Sequence, residues 1–406
     1  MKILLVHQYF NTPESGGPLR SYYLAKGLAQ NGYQVEVITA HHLKETCIFR
    51  SGFKVHYLSV RYDNHMGFLS RMNAFARFAW LAYRKALTIK GVSLCYAIST
   101  PLSVGWVARK LQSVRSIPYI FEVGDLWPEA PVQMGALKSA WLINLAKKLE
   151  NQVYKSADGI VALSPGIKKG VLMSHPGCQV TVIPNMSDCR FFQLESKTPH
   201  LQAKYGIGDK LVITYFGAAG KANHLEYLIE AAKFAKQQCT QLQFLVVAYG
   251  SELKRIKKLA ESYHLDNLEF LQYCNREELR QILNVTDVVY VSYAQIPVLT
   301  TGSPNKFFDG LAAGKLMVVN FEGWLKQMVQ QHQLGFYVDP ENPAALSEVL
   351  APLIQDRKKL LQYQQNSRLI AETFFSRSLA TQKLLKFIGA DTELPAKEPA
   401  VYTLTA

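Results

Sequence analysis

The stretch Leu299–Val319, LTTGSPNKFFDGLAAGKLMVV, decides how the rest of the chain is read. It opens on a loop of small residues, Thr300, Thr301, Gly302, Ser303 and Pro304. From Asn305 to Ala313 the apolar residues Phe307, Phe308, Leu311 and Ala312 follow the spacing of a one-faced helix. Gly314 is placed to end that helix, and Leu316–Val319 reads as a short buried strand. A loop feeding a helix start offers free backbone N–H groups and the positive end of a dipole, where anions bind. Lys306 falls in the first turn, where a lysine opposes the dipole unless an anion is present. Asp309, one turn on, reaches the same mouth and can accept hydrogen bonds from hydroxyls. The same residues also make a loop-capped core helix, and both readings stand at this point.

The first half of the chain shows the alternation in which such a loop would work. Ile3–His7 is a strand, Leu19–Gln30 a helix and Gln34–Thr39 a second strand, a βαβ start that implies a parallel sheet. The intervening loop contains Gly16 and Gly17, which let backbone approach a ligand or simply make a tight turn, and Arg20 follows in the first helical turn. Further strands are expected at 94–98, 119–123, 159–163 and 180–183. The strand at 119–123 runs into Glu122, Asp125 and Glu129, carboxylates at the end of a strand where open α/β sheets bind ligands. Asp125 and Glu129 suit an acid/base pair or the orientation of sugar hydroxyls; helix capping accounts for one of the three more easily than for all. Residues 186–208 are polar, with Pro199, Gly206 and Gly208, and mark a domain boundary. A second strand–helix series starts at Leu211–Phe216, and its first turn, Gly217, Ala218, Ala219, Gly220 and Lys221, mirrors the glycine loop of the first half. Two such halves suggest a ligand held between them.

Charge divides the same way. Residues 1–190 hold 22 Lys+Arg against 10 Asp+Glu, a net of +12, and residues 191–406 hold 23 against 21, a net of +2. A basic half suits an anionic membrane surface or nucleic acid, and no nucleic-acid reading motif accompanies it. The stretch Met66–Lys90 carries five cations, no acid and several aromatics, with Phe68, Leu69, Met72, Phe75, Ala76, Ala79 and Tyr83 at helical spacing. Basic amphipathic helices of this kind lie on membranes or pack on a core with a solvated basic side. No run of about 18 uncharged apolar residues is present, so no membrane span is expected. The first residues lack the form of a signal peptide, and the six scattered cysteines, without a C-x-x-C pair, argue for reduced thiols in the cytoplasm and against structural zinc.

In combination the motifs resemble the retaining family 4 ("group 1") glycosyltransferases of GT-B architecture. The residues that carry the resemblance are the N-terminal strand with Gly16 and Gly17, Asp125-Leu126-Trp127-Pro128-Glu129, Val182-Ile183-Pro184-Asn185, the Gly217 loop, and Ser303-Pro304-Asn305-Lys306 with Leu311-Ala312-Ala313-Gly314-Lys315. The chain is most similar to the subset that includes L-fucosamine transferases of O-antigen and capsule assembly. The resemblance implies an α/β fold of two Rossmann-like domains with parallel sheets facing across a cleft. An acceptor-side domain is expected over residues 1–190 and a nucleotide-sugar domain with a C-terminal helix over 191–385, with a disordered tail at 391–406. It further implies retaining transfer of a sugar from a nucleotide-sugar, a UDP-sugar, without metal, and the chain contains no Asp-x-Asp triplet.

Carried over residue by residue, Asp125, Glu129 and Lys306 are the expected catalytic residues. Gly16, Gly17, Gly217, Gly220, Lys221, Thr301, Gly302, Ser303, Pro304, Asn305 and Asp309 are the expected nucleotide-sugar contacts. Thr301 stands where the family has an acidic residue, Asp309 where it has a glutamate, Gly124 where many relatives have His or Arg, and Ala218 where an Arg is usual. The expected partners are a nucleotide-sugar donor, a lipid-linked or oligosaccharide acceptor and the anionic inner-membrane surface, with no nucleic acid. The expected location is peripheral on the cytoplasmic membrane face. A rival reading is a non-catalytic two-domain protein that clamps a nucleotide or acidic ligand; a nucleotide-sugar epimerase is weaker, because the Gly217 region supplies no acid/base carboxylate.

Overall fold

A computed structural model describes residues 1–62 and 66–390. The chain divides into two compact units, residues 1–185 with 301–303 and the segment from Arg377, and residues 186–300 with 304–376.

The first unit is built on strands β1 (Lys2–Val6), β2 (Gln34–His41), β3 (Thr46–Arg50), β4 (Phe53–Ser59), β5 (Leu94–Ile98), β6 (Tyr119–Val123), β7 (Gly159–Ala162) and β8 (Val180–Val182). They form one sheet in the order β3-β4-β2-β1-β5-β6-β7-β8. Every pairing is parallel except β3 with β4, which is antiparallel. Central strands are largely apolar because helices cover both faces, and β5 and β6 are buried throughout, Glu122 of β6 included. The β3–β4 hairpin has no counterpart in the sequence reading; β3 carries Cys47, Ile48 and Phe49 yet leaves them exposed at the sheet edge.

The second unit carries β9 (Leu211–Ala218), β10 (Leu242–Tyr249), β11 (Leu268–Leu271), β12 (Val288–Val291), β13 (Leu316–Val319) and β14 (Gly335–Tyr337), all parallel, in the order β11-β10-β9-β12-β13-β14. The helix expected in the deciding stretch spans Asn305–Ala312 and buries Phe307, Phe308, Leu311 and Ala312. Phe308 meets Phe375 edge to face at 5.0 Å. Gly314 ends the helix at φ +61°, and a Cβ there would lie 2.9 Å from Leu194, so both backbone and space require glycine.

Three expectations need correction. Residues 186–190 leave the first unit: the Ser187 N–H donates to Phe375 O (2.8 Å) and its hydroxyl to Phe308 O (2.8 Å), fixing them to the second. The last helix, Arg377–Phe387, belongs to the first unit instead of the second. Arg377 lies 4.1 Å over the Tyr23 ring, and Gly27 gives Thr381 room that a Cβ, 2.3 Å from its hydroxyl oxygen, would take. The basic helix, Phe68–Thr88, faces the core with Ala74, Phe78, Ala79, Ala82 and Ala86; of the residues read at helical spacing Ala79 is buried and Tyr83 half-buried against that core, while Leu69 and Ala76 are exposed. Ala74, Ala82 and Ala86 let it pack closely on the helix Ser103–Arg115, with Phe78 filling the space between them. The expected tail at 391–406 lies outside the described residues. Among the described residues no helix is long and apolar enough to cross a membrane.

Candidate active site

In the second unit the deciding stretch brings Lys306 to the end of β9. The residue is 9% exposed, and its ammonium donates to the Tyr215 hydroxyl at 2.6 Å and lies 3.8 Å from that ring's centre. Tyr215 passes the hydrogen bond on to Ala218 O at 2.5 Å. Burial pulls the Lys306 pKa down to about 7, and among the described residues no neighbouring charge offsets it. Gly217, at φ +121°, runs directly over this lysine: a Cβ there would sit 3.3 Å from Lys306 Cε and 3.5 Å from Nζ. Gly217 and Lys306, 89 positions apart in sequence, thus form one place where backbone and a desolvated cation converge. Pro304 precedes the helix in extended conformation and Asn305 begins it.

Lys221 does not join them through any ion pair among the described residues. It is exposed, and a turn closed by Asn223 N–H donating to Gly220 O (2.9 Å) separates it from the helix Glu226–Gln238. Lys221 thus lies in the turn after β9, five residues before the helix Glu226–Gln238 begins.

Asp309 occupies the next turn after Lys306 and is half-buried. Burial raises its carboxyl to about 7, against the pull of Arg276 and with the push of Asp188. Arg276 donates to Asp188 at 2.7 Å and lies 4.1 Å over the Phe191 ring. Sequence reading missed Tyr215, Asp188 and Arg276. Asp188 follows the quoted Pro184-Asn185 motif by three positions, which is a usable signal; nothing in the sequence singled out Arg276.

In the first unit the glycine loop has Gly16 at φ +71° and Gly17 at φ +78°. Arg20, read as part of an anion site, is committed elsewhere. It forms a buried bidentate pair with Glu122, Nε to Oε1 at 2.8 Å and a second N–H to Oε2 at 2.9 Å, and also donates to Pro184 O. The Tyr96 hydroxyl donates to the same carboxylate. Two of the charges that suggested a ligand site are thus neutralised by each other. Nearby His7 shares a hydrogen bond with Ser21 Oγ (2.9 Å), and burial pushes its pKa down to about 4.

Asp125 lies past the end of β6. Its surface is accessible, yet the surrounding protein displaces enough water to raise its carboxyl above the usual range. Glu129 begins the short helix Glu129–Gln133 and accepts from Gln133 Nε2 at 2.8 Å. Its charge, after burial, helps raise Glu150 to about 7. Gln133 is thus the hydrogen-bond donor to Glu129 on its own helix, while Asp125 stands apart at the end of β6. Thr301, Gly302 and Ser303, expected beside the nucleotide in the second half, pack instead with the first unit. Ser164 Oγ donates to Thr301 O (2.5 Å) and the Asn185 N–H to Ser303 Oγ (3.3 Å).

Two doubly wound parallel sheets, each with its glycine turn at a strand's C-terminal end, define a protein of the GT-B class. The chain belongs to the glycosyltransferases of that fold: the family described as "Glycosyl transferases group 1" matches residues 198–369, and "Glycosyl transferase 4-like domain" matches residues 15–186. It is 26% identical over 295 residues to the putative colanic acid biosynthesis glycosyl transferase WcaI of Escherichia coli (strain K12), covering 68% of each chain. Among solved structures, sucrose-phosphate synthase from Thermosynechococcus elongatus superposes with a TM-score of 0.77 at 17% identity, covering 95% of this chain and 98% of that one. Anabaena Alr3699/HepE, solved in complex with UDP-glucose, gives 0.67 at 18% identity, covering 96% and 99%.

Proposed function

We propose that this protein moves a sugar from a UDP-sugar to a glycan acceptor, lipid-linked, in the assembly of a surface polysaccharide, with retention at the anomeric carbon and without metal. The observation that carries this reading is Lys306: a buried ammonium held against Gly217 with, among the described residues, a tyrosine hydroxyl as its one hydrogen-bond partner. Such a group costs free energy in the free protein and repays it when an anion arrives. A diphosphate leaving group gains negative charge as the glycosidic bond breaks. Lys306 and the start of the helix Asn305–Ala312 are suited to hold that charge, the electrostatic role that is often the largest catalytic contribution. Asp309 is the residue assigned to the ribose hydroxyls and Asp125 to orientation of the acceptor or donor sugar. The complex of Anabaena Alr3699/HepE with UDP-glucose supports a UDP-sugar, and WcaI, named for colanic acid biosynthesis, supports a polysaccharide acceptor.

The acceptor is assigned to the first unit, which also docks on the anionic cytoplasmic face of the membrane. Support comes from two exposed apolar sets amid cations: Trp80 (55% exposed) and Leu69 with Arg77 and Arg84, and Trp141 (70%) and Leu145 with Lys147 and Lys148. Their helices, Phe68–Thr88 and Ala140–Ser156, both pack on the helix Ser103–Arg115. Incubation with a panel of UDP-sugars, with and without a membrane lipid extract, tests the reading by release of UDP. Release with at least one donor is expected. Binding of UDP with release from none, in either condition, would leave a nucleotide-binding module.

A further inference from the structure

Strand β1 is the point where the first sheet changes direction. The strand that follows it in sequence, β2, lies on one side, and the chain later returns to place β5 on the other. In open α/β sheets, ligands bind beyond the C-terminal ends of the strands at such a reversal. Gln8 stands there, two residues past the end of β1. Its carbonyl accepts from the Ala40 N–H (3.3 Å) and from the Thr39 hydroxyl (3.2 Å), which fixes its backbone to the end of β2. Continuing the β1–β5 register, Ile3 with Leu94 through Val6 with Ala97, sets it level with Ser99.

The Gln8 side chain is unusual. The residue is 1% exposed, and neither its amide nitrogen nor its amide oxygen has a hydrogen-bond partner among the described residues. Buried polar side chains in folded proteins are almost always paired, and a chain that needed only volume here would place a methionine or leucine. A second unpaired atom, His41 Nε2, lies at the same end of the neighbouring strand. Two adjacent strand ends thus hold back hydrogen-bonding capacity at the place where the fold favours a ligand.

We infer that the Gln8 amide reads a pair of neighbouring hydroxyls on the acceptor sugar, its oxygen accepting from one and its nitrogen donating to the other. A primary amide offers one acceptor and one donor edge side by side, which matches a vicinal diol and matches neither a phosphate nor an alkyl chain. The inference rests on the glycosyltransferase reading and adds the chemical class that the acceptor subsite selects. It assigns Gln8 to binding; the reacting atoms are held elsewhere.

The test uses the full chain with UDP present and two probes sharing one tail: n-octyl β-D-glucoside, which carries vicinal hydroxyls, and octyl tetraethylene glycol, which carries none. The wild-type protein binds the glucoside in preference to the glycol ether, and Gln8→Met reduces glucoside affinity about tenfold while leaving UDP affinity unchanged. The free Gln8→Met protein unfolds at a higher temperature, by about 2–6 °C, because an unpaired buried amide has been replaced by an apolar chain of similar volume. That combination, gained stability with lost diol binding, separates a ligand site from a packing residue. Equal glucoside affinity in the variant, no preference for the glucoside in the wild type, or a lower unfolding temperature (the mark of an amide satisfied by resident water) overturns the inference. Failure of UDP itself to bind the wild type contradicts the donor reading instead, and is scored separately.

Discussion

Each unit buries a cation at the start of a helix that follows a loop, and the two cations have opposite fates. In the first unit Arg20 is met by both oxygens of Glu122, with Tyr96 completing the carboxylate's shell. In the second, Lys306 has a tyrosine hydroxyl and a glycine backbone beside it and, among the described residues, no charge to offset it. A buried charge satisfied within its own unit is structure. One left short of a counter-charge is, on the reading proposed above, kept for an anionic ligand. Sequence position alone made the two look alike, since both are cations in the first turn after a glycine-bearing loop.

The comparison breaks most visibly at its structural end. Glu122→Gln leaves Arg20 buried without its counter-charge and is expected to cost about 3–5 kcal/mol of unfolding free energy, read by urea denaturation. A loss below about 1 kcal/mol would mean the pair does not hold the first unit together. At the other end, Lys306→Met is expected to weaken UDP binding by about 1.5–3 kcal/mol, the worth of a charge-assisted hydrogen bond, without weakening the fold. The sign follows from the depressed pKa. The unfolded lysine keeps its proton up to about 10.5 and the folded one only to about 7, so the penalty of burying the charge is complete below pH 7 and eases as pH rises between those values. Lys306→Met at pH 6 is therefore as stable as the wild type or more so; destabilisation like that of Glu122→Gln would make Lys306 a structural cation too.

Charges on the outside of the first unit sharpen the contrast with those inside it. Arg77 and Arg84 are exposed, and at about 1 kcal/mol each near an anionic leaflet their replacement by Gln should weaken vesicle binding about 30-fold. Co-sedimentation should show binding to anionic vesicles that falls with salt. Binding to neutral vesicles at the same strength, or none to anionic ones, would remove the membrane assignment.

The smallest effect belongs to Asp309→Asn, which should raise the UDP dissociation constant by about 1 kcal/mol, a few-fold. It should also flatten a pH dependence. The folded carboxyl holds its proton to about 7 and the unfolded one only to about 4, so folding takes up a proton between these values and stability contributed by this group is lost as pH rises through 7. Unfolding free energy measured at pH 5 and pH 8 should differ less in the variant; an unchanged difference would mean Asp309 is not the buried acid responsible.

Much of the fold was legible because it is periodic. The deciding stretch shows its helix in the spacing of Phe307, Phe308, Leu311 and Ala312, and its end in Gly314. The parallel strands appear as short apolar runs between helices. What stayed hidden was pairing over distance. Nothing local marks Glu122 as the partner of a residue 102 positions earlier, Arg276 as the partner of Asp188, or Thr301 as the neighbour of Ser164. The last helix was misplaced for the same reason, since Gly27 and Thr381 fit each other only once the chain has returned to the first unit. Glu129 was legible as a carboxylate beyond β6, but its hydrogen bond from Gln133 depends on the short helix it begins.

The central claim, that Lys306 is a cation kept for a diphosphate, is tested most directly by the pH dependence of UDP affinity, measured by calorimetry from pH 7 to pH 9 in the wild type and in Lys306→Met. The ammonium must be protonated to hold the diphosphate and loses its proton near 7 in the free protein. Wild-type affinity should therefore fall with rising pH, approaching about tenfold per unit at its steepest, while the variant is weaker and flat. A flat profile in the wild type, or the same slope in both proteins, would contradict the account.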